Sequence, residues 1–163
     1  MSGLISSPVP APDPNGAQVV ADGWFPPIGV AAIRDAVPLG GHTVTNPRLV
    51  MAIEGGMLHA FRELADWRTA RVLEGAAALA DVTTDTINGQ NRAVRLWTRM
   101  VYYFAAAELA GEHPDIAATD QGIDRAAERA VAGDEFRRLA LAAGADLLSI
   151  GGPPVQRNRV ELL

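Results

Sequence analysis

Cysteine is missing from this 163-residue chain, and so is lysine; all 14 basic residues are arginine. Without cysteine there are no disulfides and no thiolate metal sites, and a reducing compartment suits the chain. An all-arginine base set has two sources, GC-rich codon usage and bidentate contacts at subunit interfaces. The sequence leaves both open. No apolar run reaches the ~18 residues of a membrane span. The first residues lack the basic segment and unbroken apolar stretch of a secretion signal.

Reactive groupings are also scarce. The glycine pairs Gly40-Gly41, Gly55-Gly56 and Gly151-Gly152 are adjacent, whereas a phosphate loop needs spaced glycines. Ser2, Ser6, Ser7 and Ser149 have no nucleophile motif around them. Asp13 and Asp22 have no base beside them. Of the three histidines, His42, His59 and His113, only His59 has a ligand-type neighbour at helical spacing, Glu63. Two ligands are too few for a metal, and no second carboxylate–histidine pair is present. No catalytic residue, cofactor site or metal site is expected. The formal charge of −5 argues against a general nucleic-acid coat.

What the chain does contain is helix-forming sequence. The stretch 46–74, NPRLVMAIEGGMLHAFRELADWRTARVLE, organises the rest. Asn46 suits the N-cap and Pro47 the first turn. Val50, Ile53, Met57, Ala60, Phe61, Leu64, Trp67 and Val72 recur at helical spacing, which predicts a helix about 40 Å long. Gly55-Gly56 costs about 2 kcal/mol of helix propensity, so it marks a bend or a close backbone approach. A short helix is predicted within 28–37, stopped by Pro38. Turn signals at Asn88-Gly89 end a connector, and a second long helix follows from about Gln90 to Gly111. Its two apolar stripes, Val94-Trp97-Val101-Phe104 and Leu96-Met100-Tyr103-Ala107, imply a central helix touching two neighbours. A third runs over 120–148, capped at Asp120, carrying Val131, Phe136, Leu139, Ala143 and Leu147, with Gly133 as a possible kink. The predicted fold class is all-α, a bundle of about four helices over 24–150.

Two arms flank it. Residues 1–23 hold four prolines and only two charges, and are read as an extended arm that needs a partner surface to order it. Trp24 and Phe25 anchor this arm to the helices. After Gly151-Gly152-Pro153-Pro154, residues to 163 form an extended tail that could pair with a sheet edge. Its candidate contact residues are Val155, Arg157, Arg159, Val160, Leu162 and Leu163. On the central helix Arg92, Arg95 and Arg99 share one stripe, open to readings as a solvated face or an intersubunit contact.

An ordered set of features resembles the phage head completion family, the gene-product-L type of contractile-tailed phages. Trp24-Phe25-Pro26 precedes the first helix. Leu79-Ala80-Asp81-Val82, Asp85 and Ile87-Asn88-Gly89 lead into the central helix with its patch from Trp97 to Phe104. Arg157-x-Arg159-Val160-Glu161-Leu162-Leu163 resembles the family's closing tail. The resemblance spans roughly 24–163. It implies a structural virion subunit at the head–tail neck, assembled in the host cytoplasm. There a homo-oligomeric ring of twelve copies would bind the portal protein, pass packaged DNA without reading its sequence, and meet a tail-side terminator or stopper. For the stripe of Arg92, Arg95 and Arg99 the resemblance adds a portal contact or a channel lining near DNA as readings, and no enzyme and no membrane are implied. Two alternatives remain: a tail-side stopper or terminator, usually richer in β-structure, and a small soluble helical oligomeric binding module.

Overall fold

The computed structural model describes residues 16–39, 44–111 and 120–152. Among them there are four α-helices, one 3-10 turn and two minimal strand pairs. Strand β1 (Gln18–Val19) lies antiparallel to β2 (Ile28–Gly29), with Val19 opposite Ile28. Helix α1 (Val30–Ala36) follows directly, then α2 (Asn46–Leu73). The 3-10 turn Leu79–Val82 leads into a hairpin of β3 (Thr86–Ile87) and β4 (Gln90–Asn91). Helices α3 (Arg92–Gly111) and α4 (Asp120–Leu148) complete the order.

Helix α3 is the middle layer and packs against both α2 and α4. Trp97, Met100 and Val101 of α3 are fully buried beside Ile33, Leu49, Ile53, Leu64 and Leu147. Each such side chain contributes about 1.5–3 kcal/mol through removal from water, so this one cluster dominates the body's stability. The helices approach closely because small residues meet at the crossings. A Cβ added at Gly56 would lie 2.8 Å from the Val101 carbonyl oxygen and 3.0 Å from the Ala105 nitrogen. Of the two expectations for the glycine pair, close backbone approach is the one realised, and α2 continues unbroken through it. Gly133 likewise lies against Ala110 and Ala107 of α3, and α4 continues through it without interruption.

Helix ends follow local chemistry. Asn88 and Gly89, both at positive φ (51° and 71°), make the tight hairpin turn that this dipeptide favours. Asn91 then caps α3, its Oδ1 accepting from the backbone N–H groups of Ala93 (2.9 Å) and Val94 (3.2 Å). The helix therefore starts at Arg92, two residues later than periodicity alone predicts, because Gln90 and Asn91 are held in the strand ladder. At the end of α2, Gly75 (φ 102°) allows its N–H to reach the Val72 carbonyl and that of Ala76 to reach Arg71, both at 3.0 Å. This satisfies two of the last free carbonyls.

Four expectations need correcting. Asn46 is not the cap of α2; Thr45 holds that position without a side-chain bond, because the Asn46 Oδ1 instead accepts from Arg34 at 2.5 Å. Val72 and Val131, placed by spacing on core stripes, are exposed. Finally, residues 16–23 do not require a foreign surface. Val19 is buried in the core, and the Val30 N–H donates to the Ala17 carbonyl at 2.9 Å. Extended backbone there is ordered by the chain's own first helix. Residues 1–15, the loop glycines Gly40-Gly41, the break at 112–115 and the residues preceding Asp120 lie outside the described residues.

Candidate interaction surfaces

The chain enters its body through an aromatic cluster. Phe25 stacks on Trp97 at 4.2 Å between ring centroids and lies 5.3 Å from Phe61. Trp24 meets Phe25 edge-on at 4.7 Å and Trp67 at 6.1 Å. Every indole N–H in the cluster has a carbonyl acceptor: Trp24 with Ala76 (3.1 Å), Trp67 with Ile150 (3.0 Å) and Trp97 with Pro26 (3.0 Å). Three distant segments are thereby tied to one cluster, and a buried indole avoids the cost of an unmet donor. Trp24 and Phe25 are thus core residues, buried to 7% and 1% exposure.

Arg68 closes the outside of this cluster. Its guanidinium lies 5.2 Å from the ring centroids of both Trp24 and Phe25 and pairs with Asp22 at 2.5 Å. Burial pushes the Asp22 carboxyl up. The bonds from Arg68 and from the Trp24 backbone N–H, together with the charge of Arg68, outweigh that and hold it below its ordinary 3.8.

The three arginines of the central helix have different partners within the chain. Arg92 pairs with Asp85 at 3.0 Å. Arg95 donates to the Gln90 Oε1 at 2.9 Å. Arg99 lies 5.3 Å from the Tyr103 ring centroid. Arg95 and Arg99 line a groove of ≈ 480 Å3 with α1 and the hairpin, whose apolar walls include Ile87, Leu96, Tyr102 and Tyr103. Arg92 stands outside it. Burial, with the Asp35 charge adding to it, raises the Tyr102 hydroxyl, so this side chain stays neutral near physiological pH.

His59 is engaged by Arg62 and Phe104. Its Nδ1 meets the Arg62 guanidinium at 2.8 Å and its ring stacks on Phe104 at 5.2 Å. Burial, then the charges of Arg62 and Arg137, push it below its ordinary 6.5. No cluster of three or more metal-type side chains occurs among the described residues.

Nothing in the core-facing periodicity singles out the outer face of α2. Met51, Leu58 and Leu73 are exposed to 62%, 61% and 83% there, with Ala65 and Val72 also exposed. Met51, Leu58, Ala65 and Val72 recur every seventh residue. That spacing, a second apolar stripe on a helix whose first is already buried, is the signal by which the sequence could have revealed it. Two clefts of ≈ 450 and ≈ 460 Å3 flank the stripe and share Phe61 and Ala65. The tail candidates Val155, Arg157, Arg159, Val160, Leu162 and Leu163 lie outside the described residues.

The family model described as phage head completion protein (GPL) matches residues 19–161. That match opens at Val19, the first buried residue described, and not at Trp24. The chain is also similar to the head completion/stabilization protein of Escherichia phage P2, with 32% identity over 117 residues, 71% of this chain and 69% of that protein. No solved structure matches it.

Proposed function

This chain belongs to the phage head completion protein (GPL) family, and on that premise we propose that it works at the head–tail neck as a ring-forming connector. Its coarse role follows from the family: a structural protein of head completion, with no enzymatic chemistry. The finer reading is a ring of twelve copies beneath the portal, extending the DNA channel and presenting a face to a tail-side terminator or stopper. DNA passes through without sequence-specific contacts. The name of the P2 relative joins completion with stabilization, which suits a ring that retains packaged DNA.

The family match over 19–161 carries this reading. The helical body supports it over a tail-side stopper rich in β-structure, since the strands described are two residues each. Among the described residues no helix is long and apolar enough to cross a membrane. In the proposal the bundle forms the ring wall. Residues 1–15 and 151–163 extend from it as arms, and 155–163 dock on the portal or on a neighbouring subunit. Arg95 and Arg99 supply an intersubunit or portal contact beside the apolar groove of α1 and α3. Electron cryomicroscopy of necks from purified particles tests this: twelvefold density of this chain directly below the portal is expected. Density at the tail side of another connector, or no density in the neck, would refute it.

A further inference from the structure

Arg95 and Arg99 stand exposed over the groove between α1, the hairpin and α3. Neither meets a carboxylate among the described residues. Arg95 donates to the neutral amide oxygen of Gln90, and Arg99 lies over the Tyr103 ring. Among the described residues no acid lines the groove, and its walls include Ala36, Ile87, Leu96 and Tyr103. Two guanidinium groups over an apolar floor suit a partner that sets a carboxylate between large apolar side chains.

The chain presents such a group on the outer face of α2. Met51 and Leu58 are exposed there three residues before and four residues after Glu54, which is exposed too. At that spacing the three share one helix face. Glu54 has no ion pair among the described residues. No other exposed large apolar pair among the described residues brackets an unpaired acid in this way. Asp35, exposed on α1 and near enough to act on Tyr102, is matched in turn by Arg62, exposed four residues beyond Leu58. The opposite face of α2 is buried at Gly56 against Val101 and Ala105 of α3. Arg95, Arg99 and Tyr102 lie roughly a third of a turn around α3 from those two residues. Ridge and groove therefore open on different sides of the body, and a chain cannot fill its own groove with its own ridge.

We propose that the ridge of Met51, Glu54 and Leu58 on one copy docks in the α1–α3 groove of the next copy, with Glu54 between Arg95 and Arg99. This deepens the ring reading, on which it rests, by assigning the two subunit faces. Each copy uses its ridge once and its groove once, a head-to-tail contact that closes into a ring where the rotation permits. A helix face is laid into an apolar groove, and the charges fix register more than strength. The one contact covers Met51, Leu58 and Ile87, three of the exposed large apolar side chains.

The lack of native cysteine makes the test direct. Full chains carrying Leu58→Cys alone or Ile87→Cys alone, both at exposed positions, are mixed and oxidised. The mixed link is expected at about tenfold the yield of either self-link. Links in random proportion, or a dominant self-link through Leu58→Cys, overturn the proposal. Adding Glu54→Arg to the Leu58→Cys chain should cut the mixed link about fivefold, and adding Arg95→Glu with Arg99→Glu to the other chain should restore it. Loss without restoration overturns the proposal, because a fold merely damaged by the first change would not recover through the second. A single chain carrying both cysteines should give a ladder of linked copies ending in a closed species, and a link within one chain overturns the contact. A ladder that closes at a number other than twelve supports the contact and removes the twelvefold count, so the two readings fail separately.

Discussion

Asn91 serves two ends of the connector with one side chain. Its Oδ1 caps α3, while its Nδ2 donates to the carbonyls of Thr83 at 2.8 Å and Ala80 at 2.9 Å. Asn91→Ala should cost about 1–2 kcal/mol by urea denaturation, and Asn91→Asp should also destabilise, because the aspartate keeps the cap but sets a carboxylate oxygen against the carbonyl oxygens of Thr83 and Ala80. Gly56 gives a sharper contrast. By helix propensity, Gly56→Ala should stabilise α2 by about 1 kcal/mol. The Cβ would instead press on the Val101 carbonyl oxygen at 2.8 Å, and overpacking of that kind costs about 1–3 kcal/mol. Net destabilisation is expected, read from the thermal midpoint; a raised midpoint would show that α3 yields.

Asp22 sets a pH dependence. Its carboxyl titrates below 3.8 in the folded chain, so its contact with Arg68 stabilises the fold above that ordinary value. The contribution is lost as pH falls through the depressed folded value. Asp22→Asn should therefore be less stable than the parent near neutrality, with the gap closing in acid below about pH 4. Paired denaturation series at the two pH values check the sign. The pair is partly exposed, at 46% for Asp22 and 34% for Arg68, so the effect is a small one.

At the scale of elements, α3 divides its surface three ways: toward α2, toward α4, and toward the groove with α1. Reversing Arg92, Arg95 and Arg99 to glutamate leaves the first two untouched. Exposed pairs such as Arg92–Asp85 contribute under about 1 kcal/mol, so the helical spectrum should be kept. Head assembly and DNA retention should fall; unchanged particles would remove both the contact and the channel readings of this stripe. Helix α2 shows where periodicity misleads. The sequence reading groups Val72 with the core residues, yet it stands on the outer stripe with Met51, Leu58 and Ala65, the face of α2 left exposed.

At the scale of the whole molecule, the described residues form a layered helical body in which Trp24-Phe25 and Ile150-Gly151 are fastened at the aromatic cluster and the end of α2. Deleting 155–163 should leave a folded helical chain, since Ile150 and the Trp67 bond that fixes it precede the cut. Attachment to portals should be lost, and co-purification of the truncated chain with portals at normal occupancy would refute the docking role of the tail.

Composition and spacing alone determined that this is an all-α body with little means for chemistry. The family came from a resemblance carried by the ordered motifs and from the matches to known proteins, while composition and spacing also determined the three long helices and the Asn-Gly turn. Apolar periodicity and turn residues act locally, and those features need nothing else. Only the tertiary structure decided which glycine admits a neighbouring backbone, that Asn91 and not Asn46 caps a helix, and that 16–23 belong to the body. It alone separated Arg92 from Arg95 and Arg99. These depend on which atoms meet beyond one helical turn, from Arg92 with Asp85 seven residues away to Gly56 against Val101 forty-five away, and a repeat of three to four residues carries no record of such meetings.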